Sequence, residues 1–355
     1  MNNDSKIYVA GHLGLVGSAL LKKLQNQNYF NIITKTREEL DLKVQDDVDL
    51  FFKRNKPEYV FLAAAKVGGI IANNTNRAEF IYDNIMIQSN IIHSSYKYRV
   101  KKLIFLGSSC VYPKNTINPI TENSLLSSDL EYTNEPYAIA KIAGLKMCES
   151  YNIQYGTNFI SVMPTNLYGF NDNFNLDTSH VLPAIFRKIY LGKCLQENNW
   201  EAILRDINQR PLDQIIDLSS NKQVLAGLEK YGINENSIEI WGSGKPLREF
   251  LWADDLADAC LHLMENINFK DLYENNKEIR NTHINIGSSE EISIKDLAIL
   301  IKNIIGYKGE FIYNTNKPDG TFKKLIDNSK ISFLGWKHKV SLIEGIERIY
   351  NWYIK

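Results

Sequence analysis

The chain has 355 residues, of which 44% are hydrophobic and 23% charged, so it can bury a large core as one α/β unit or two unequal lobes. Its 41 basic and 41 acidic residues give no net charge, so neither nucleic acid nor an anionic membrane is expected as the main partner. No apolar run is long enough to span a bilayer, and the N-terminus leads directly into the first strand without a signal peptide. The four cysteines have no metal or disulfide spacing. These features predict a cytoplasmic protein without a metal site.

The N-terminus carries the first predicted ligand-binding feature. Residues 6–10 form a short apolar strand pattern, a turn with Gly11, Gly14 and Gly17 follows, and residues 18–24 have helical periodicity. A glycine-rich turn between a strand and a helix lets backbone N–H groups hold a pyrophosphate, because a side chain would block its approach. The spacing is G-x-x-G-x-x-G and not the common G-x-G-x-x-G. An ordinary glycine-rich turn remains the alternative at this point.

Strand and helix patterns alternate through the first half of the chain. This alternation predicts a doubly wound parallel sheet of the Rossmann type, in which a ligand binds at the carboxyl ends of the strands. We expect a nucleotide-binding domain over 1–170, with a segment near 250–290 returning to it. We expect 171–355 to form mainly a smaller mixed α/β substrate-binding lobe. The predicted strands are 6–10, 32–34, 59–63, 103–106 and 159–163, and the predicted helices after the first are 44–54, 80–97 and 137–156.

Tyr137 and Lys141 form the most informative pair in the chain. They are one helical turn apart and therefore share one face of a helix. An ammonium group near a phenol stabilises the phenolate, which makes tyrosine a better proton donor or acceptor near neutral pH. A hydroxyl from Ser108 or Ser109, directly after strand 103–106, would complete a device for holding and protonating a carbonyl oxygen. Taken without the glycine turn, a surface Tyr/Lys pair is the more common explanation; together, the two features indicate a nucleotide-dependent enzyme.

With these residues in place, the chain resembles the extended short-chain dehydrogenase/reductases, and within them the GDP-L-fucose synthase family. That family epimerises and reduces GDP-4-keto-6-deoxy-mannose. The resemblance spans nearly the whole chain and rests on the runs at 63–70, 107–114, 134–141, 163–169, 241–244 and 317–321.

The residues after the second strand favour NADPH as the cofactor. An acid there would bind the ribose of NAD, whereas a cation would pair with the 2′-phosphate of NADP. Here Lys35 and Arg37 precede any acid, with a solvated basic turn as the alternative. The remaining residues expected at the cofactor are His12, Leu13, Leu15, Val16, Asp41, Leu42, Ala64, Leu106, Gly107, Ser109, Lys141, Pro164, Asn166, Leu167 and His180, besides the three glycines.

The expected chemistry has two parts. After hydride transfer to a C4 ketone, Tyr137 would donate the proton, Ser108 would hydrogen-bond the oxygen, and Lys141 would tune Tyr137 and hold the nicotinamide ribose. By the family pattern, Cys110 and His180 would exchange protons at C3 and C5, whose hydrogens the ketone acidifies. The alternatives are a small buried cysteine and a capping or core histidine.

The resemblance also places the substrate. Arg248, Lys188 and Trp241 match substrate-binding positions, although the family pattern leads us to expect arginine at 188. Asp319 could accept a hydrogen bond from the sugar or guanine, or could serve its Pro-Asp-Gly turn. A homodimer through 80–97 and 137–156 is expected by analogy.

One segment departs from the family pattern. About thirty residues within 196–236 look inserted. Apolar residues recur there at helical spacing, namely Ile203, Ile207, Leu212, Ile215, Ile216 and Leu218. This spacing indicates either extra surface helices or a lid or interface that alters which sugar is accepted. Two rival functions stay open: a C4 reductase without epimerase activity that acts on a GDP-4-keto-6-deoxy-heptose, and a non-catalytic NADP-binding regulator. The intact Ser108, Tyr137 and Lys141 set argues against the regulator.

Overall fold

The computed structural model describes residues 1–213, 217–274, 277–317 and 319–355. The first half alternates strands with helices, as the periodicity predicts. Its elements are, in chain order, β1 (Ile7–Ala10), α1 (Leu15–Asn26), β2 (Ile32–Ile33), α2 (Gln45–Asn55), β3 (Tyr59–Leu62), α3 (Ile70–Thr75), α4 (Arg77–Lys97), β4 (Lys102–Leu106), α5 (Glu135–Tyr155), β5 (Phe159–Pro164) and β6 (Asn166–Tyr168).

The second half contains shorter strands between its helices. The elements are α6 (Val181–Gln196), α7 (Trp200–Gln209), α8 (Asn221–Lys230), β7 (Ser237–Trp241), β8 (Leu247–Trp252), α9 (Ala253–Asn266), β9 (Ile284–Ile286), β10 (Glu291–Ser293), α10 (Ile294–Ile305), β11 (Glu310–Asn314), α11 (Ser329–Phe333) and α12 (Leu342–Tyr353). Within the described residues, no helix is both long and apolar enough to cross a membrane.

The central sheet has six parallel strands in the order β2-β1-β3-β4-β5-β9. Because side chains alternate along a strand, β1 sends Ile7 and Val9 into one core cluster and Tyr8 and Ala10 into another. Helices α1 and α9 cover the first face, and α2, α4 and α5 cover the second. This doubly wound sheet confirms the predicted fold class, and β9 brings a segment from the second half into it.

A third core cluster lies in the second half of the chain. It joins α6, α10 and α12 with the small sheet β10-β8-β6 and the parallel pair β11-β7. Strand β8 pairs with β6 in parallel and with β10 antiparallel. Because β6 follows β5 in the chain, this pairing joins the third core cluster to the end of β5.

The segment 196–236 contributes two helices to that same cluster. Ile203 and Ile207 of α7 and Leu212 after it are buried, and Leu218 is half-buried against the cluster. These side chains form the buried face of the segment, while Glu201, Arg205 and Asn208 on the other face of α7 are exposed, as in a surface helix. Ile215 and Ile216, which were included in the predicted helical pattern, lie outside the described residues.

Candidate active site

The turn after β1 has the tight geometry that its glycines predict. Gly11 has φ +85°, and a Cβ added there would lie 2.7 Å from the backbone of Ala64. A Cβ on Gly17 would lie 2.0 Å from the Gly11 carbonyl oxygen, so only glycine fits. Gly14 caps the N-terminus of α1, and its first-turn N–H groups face the turn. The Nδ1 atom of His12 is buried without a hydrogen-bond partner among the described residues. The turn therefore suits a bound pyrophosphate.

The loop after β2 offers a cation for a 2′-phosphate. Arg37 is exposed and forms no ion pair with any described residue. Lys35, by contrast, is engaged by Glu39, with 2.8 Å between Nζ and Oε1. Asp41 and Leu42 follow this loop. The Asp41 carboxylate accepts a hydrogen bond from Lys43 N, and the Leu42 carbonyl accepts one from Nδ2 of Asn90.

The carboxyl ends of β3, β4 and β5 meet beside this turn, which is where a parallel sheet binds its ligand. Gly107 follows β4, and a Cβ there would lie 2.3 Å from Cε of Met163. Asn166 donates from Nδ2 to the carbonyl of Glu249 at 2.9 Å. The other predicted wall residues lie at the same edge: Ala64 after β3, Leu106 at the end of β4, Pro164 as the last residue of β5, and Leu167 in β6.

Lys141 and Tyr137 lie together on α5, as their spacing predicts. Lys141 is buried and donates from Nζ to the carbonyl of Leu106 at 2.8 Å. Its Nζ lies 4.8 Å from the Phe105 ring centroid and 5.8 Å from the Tyr137 ring centroid. Burial lowers the pKa of Lys141 to about 8. Burial also raises the pKa of Tyr137, and the charge of Cys110 adds to that rise. The expected lowering of the Tyr137 pKa by Lys141 is therefore absent, and Tyr137 stays a protonated phenol at pH 7. Lys141, with a pKa of about 8, remains mainly an ammonium at that pH.

Ser108 and Cys110 occupy the short turn after β4. Ser108 accepts a hydrogen bond at Oγ from the backbone N–H of Cys110 at 3.3 Å, which fixes its side chain at the start of the 3₁₀ turn Ser109–Val111. Burial raises the pKa of the Cys110 thiol, while the ammonium groups of Lys324 and Lys141 oppose that rise. The structure thus brings Ser108, Cys110 and the Tyr/Lys pair into one electrostatic unit.

His180 stands apart from that unit in its contacts. It is the residue before α6, and its carbonyl accepts from the N–H of Ala184. Its ring is accessible to solvent and forms no hydrogen bond with any described residue. Desolvation by the surrounding protein lowers the pKa of His180, although the residue remains accessible to solvent. The backbone, and not a side-chain partner, therefore sets its position.

The predicted substrate residues fall into two contacts. Lys188 is buried, donates from Nζ to the carbonyl of Glu239 at 3.0 Å and lies 5.8 Å from the Trp241 ring centroid. Burial lowers the pKa of Lys188 to about 8. The ring of Trp241 is 40% exposed, and Nζ of Lys317 lies 5.0 Å from its centroid. An aromatic face with two nearby cations can bind an anionic nucleotide.

Arg248 and Asp319 form the second contact. Arg248 donates from Nη2 to the Asp319 carbonyl at 3.4 Å. Both carboxylate oxygens of Asp319 accept from Ser243, at 2.7 Å from N and 2.8 Å from Oγ. The carboxylate therefore holds the Gly242–Gly244 turn against its own loop, which favours the structural alternative for this residue. Pro318, part of the run used for the resemblance, lies outside the described residues.

Sequence reasoning missed one charged residue at the site. The ammonium of Lys324 works to lower the pKa of Cys110. Burial lowers the pKa of Lys324 itself; the charge of Arg248 adds to that shift, and Cys110 and Glu131 oppose it. Its segment is placed by backbone bonds, since Leu247 N donates to Phe322 O at 2.9 Å. No spacing pattern marked this lysine, because its neighbours come from distant parts of the chain.

The comparisons with known proteins agree with this geometry. The family model "NAD dependent epimerase/dehydratase family" matches residues 7–211 and 216–287. The chain belongs to that family. Within it, the chain is 48% identical to the putative GDP-L-fucose synthase 2 of Arabidopsis thaliana, covering 100% of this chain and 93% of the relative. The predicted resemblance to the GDP-L-fucose synthases is thereby confirmed.

Two solved structures of this family from Campylobacter jejuni are also similar. A GDP-6-OMe-4-keto-L-xylo-heptose reductase is 49% identical with a TM-score of 0.94, over 99% of this chain and 98% of that one. A GDP-D-glycero-L-gluco-heptose synthase, solved in the presence of NADPH, is 48% identical with a TM-score of 0.92, over 100% of both chains.

Proposed function

We propose that the protein is an NADPH-dependent oxidoreductase that epimerises C3 and C5 of a GDP-4-keto-6-deoxy sugar and then reduces C4. The product would be GDP-L-fucose or a close GDP-deoxysugar for surface polysaccharide. The observation that carries this proposal is the unit of Ser108, Cys110, Tyr137 and Lys141 at the end of β4. It lies at the same sheet edge as the glycine turn that fits a pyrophosphate.

The reduction step uses the Tyr/Lys pair. The Gly11–Gly17 turn would hold the pyrophosphate of NADPH and Arg37 its 2′-phosphate, and the cofactor, when bound, would supply the hydride for C4. Tyr137 gives a proton to the resulting alkoxide, and Ser108 hydrogen-bonds the same oxygen. Lys141, fixed by the Leu106 carbonyl, places a positive charge beside Tyr137 and thereby stabilises the phenolate that proton donation leaves.

The inversion steps use Cys110 and His180. The lowered pKa of His180 keeps its imidazole neutral at pH 7, and the raised pKa of Cys110 keeps its thiol protonated. The pair therefore enters the reaction with one proton acceptor and one proton donor. A C4 ketone acidifies the hydrogens on C3 and C5, so these two groups can remove and return protons there.

The GDP end would lie over Trp241. Its exposed ring offers a stacking face, and Lys188 and Lys317 supply charge beside it. Arg248 suits a diphosphate because its fork donates two parallel hydrogen bonds.

A second candidate is a C4 reductase without epimerase activity that acts on a GDP-4-keto-6-deoxy-heptose. The specific observation in its favour is the heptose reductase structure, which matches at 49% identity and a TM-score of 0.94, as closely in sequence as the plant fucose synthase. The lysine at 188, where the resemblance leads us to expect arginine, also fits an altered substrate.

One experiment separates the two candidates. The protein is incubated in D₂O with GDP-4-keto-6-deoxy-mannose or its heptose analogue, without NADPH, and the sugar is examined by NMR. Deuterium at C3 and C5 that disappears in Cys110→Ser supports the epimerase. If no deuterium enters either sugar but NADPH is then oxidised, the protein is a plain C4 reductase. If neither reaction occurs with either sugar, the proposed function is wrong.

We extend the proposal to a homodimer through α4 and α5, acting in the cytoplasm where NADPH and nucleotide sugars are made. These two helices pack against each other and leave Tyr82, Ile139 and Ile153 exposed. Apolar side chains of this size on one helix pair suit a subunit contact. Sedimentation equilibrium at micromolar concentration tests the dimer, and a mass of 40.8 kDa, that of one chain, would contradict it. Cell fractionation tests the cytoplasmic location.

A further inference from the structure

The loop 170–179 places His180, because it leads directly from the end of β6 to the first residue before α6. Hydrogen bonds between residues of the loop set part of its conformation. Ser179 N donates to the Asn175 carbonyl at 2.9 Å, and Asn173 Nδ2 donates to Oγ1 of Thr178 at 2.9 Å. Since no described side chain bonds the His180 ring, whatever holds this loop determines where the imidazole lies.

One side of the loop is held by the nucleotide-binding half. The N–H of Gly69 donates to the Thr178 carbonyl at 3.0 Å. The approach is close, since a Cβ on Gly69 would lie 2.7 Å from the Ser179 carbonyl oxygen. This contact fixes the loop next to the end of β3.

The other side is held through α7. Arg187 of α6 donates from Nη1 to the Phe174 carbonyl at 3.1 Å and from Nε to Oδ1 of Asp206 in α7 at 2.9 Å. Both charged side chains are almost completely buried, at 0% and 2% exposure. The Arg210 guanidinium, which follows α7, lies 5.6 Å from the Phe174 ring centroid. The buried Arg187 is bonded both to Asp206 of α7 and to the Phe174 carbonyl, so α7 anchors the start of the loop.

The end of the loop is held from α8. Tyr231, just after that helix, donates from its hydroxyl to Oδ2 of Asp177 at 2.8 Å. Asp177 precedes His180 by three residues. Leu176 is buried in the same apolar cluster as Val224 and Leu228 of α8. Both helices of the segment therefore contact the loop that carries His180.

We propose that α7 and α8, with Arg210 and Tyr231 directly after them, act as a positioning element for His180, with Tyr231 and Asp177 as positioning residues. They do not touch the substrate; they hold the backbone that aims the imidazole at the sugar. The proposal rests on the proposed function, in which His180 exchanges protons at C3 and C5. It assigns these two helices a role in the inversion steps and none in hydride transfer.

The test uses Tyr231→Phe, Asp177→Asn and the double variant. Loss of one hydrogen bond worth about 0.5–1.5 kcal/mol predicts a roughly 2- to 12-fold lower kcat for deuterium entry at C3 and C5. NADPH oxidation with an already epimerised substrate, its KM and NADPH affinity should stay at the parent values. The double variant should lose no more than the more damaged single variant, because both changes remove one shared bond.

Tyr307→Phe is the matched control. The Tyr307 hydroxyl donates to the Asn234 carbonyl at 3.2 Å, so this change removes a similar bond from the same part of the protein without touching the loop. It should leave deuterium entry unchanged. Three results would each overturn the positioning role. The rates of deuterium entry and of NADPH oxidation fall equally in Tyr231→Phe; deuterium entry falls as much in Tyr307→Phe as in Tyr231→Phe; or the losses of the two single variants add in the double variant.

A measurement without turnover keeps this inference separate from the proposed function. The chain has 6 histidines, so ¹³C-labelled imidazole signals can be resolved, with His180 assigned by His180→Asn. Tyr231→Phe should shift or broaden the His180 signal, and Tyr307→Phe should not. If the parent protein exchanges no deuterium, the proposed epimerase fails, and an unmoved His180 signal in Tyr231→Phe would overturn the positioning role on its own.

Discussion

Replacing Arg37 by alanine should change the cofactor preference of the enzyme. Arg37 is exposed after β2 and pairs with no described acid, so its guanidinium can meet the 2′-phosphate of NADPH. NADH has a hydroxyl at that position. The loss should therefore fall on NADPH and leave NADH affinity nearly unchanged.

The magnitude follows from the type of contact. A hydrogen bond to a charged group contributes about 1.5–3 kcal/mol, which corresponds to roughly a 10- to 150-fold weaker Kd for NADPH. Lys35→Ala is the matched control, because its ammonium is already bound by Glu39. An exposed pair of this kind contributes about 0–1 kcal/mol, so the control should shift the preference by less than about fivefold.

Isothermal titration of both variants with NADPH and with NADH gives the ratio of the two Kd values for each variant. Added salt should reduce the parent preference for NADPH, since exposed charges are screened. The preference should also fall below about pH 6, where the phosphate dianion takes up one proton and becomes a monoanion. Equal weakening of NADPH and NADH in Arg37→Ala, or a larger effect of Lys35→Ala, would refute the assignment of Arg37 to the 2′-phosphate.

Three further predictions concern the catalytic unit and the core beneath it. Tyr137→Phe should bind NADPH normally and lose about 10²–10⁴-fold in C4 reduction, measured by NADPH oxidation; turnover within threefold of the parent would dismiss Tyr137 as the proton donor. Lys324→Met should raise the pKa of Cys110, because the thiolate loses a nearby positive charge, and should move the pH-rate curve for iodoacetamide alkylation to higher pH; an unmoved curve would contradict this. Asp206→Ala should lower the free energy of unfolding by about 3–5 kcal/mol in urea titrations, since it leaves Arg187 buried without its carboxylate; a change below about 1 kcal/mol would show that the pair is not an essential core contact.

The parts of the site encoded by local spacing could be predicted from the sequence. Tyr137 and Lys141 share a face of α5 because they are one turn apart, and three glycines three residues apart produce the turn after β1. The doubly wound sheet also followed from alternating apolar runs, which separate strands from helices by their period.

The contacts that join distant parts of the chain could not be predicted. Lys324 reaches Cys110 only because backbone bonds align its segment with β8, and no periodic pattern records that alignment. The sequence gives no sign that Arg187 is buried beside the predicted substrate residue Lys188, because adjacent helical residues point about 100° apart and contact different surroundings. Asp206, its partner, lies in the segment that looks inserted in the sequence.

In the proposed mechanism, reduction and inversion depend on different contacts. Lys141 is bonded to the last carbonyl of β4 in the nucleotide-binding sheet, whereas His180 follows a loop that Gly69 holds on one side and α7 and α8 hold on the other. Mutation and selection can therefore act on one set of contacts while the other stays intact. A lineage with this fold can keep its reductase and change or lose the inversion of sugar carbons through substitutions remote from any sugar. The stereochemical outcome of the proposed inversion can thus change while the residues of the proposed reduction stay as they are.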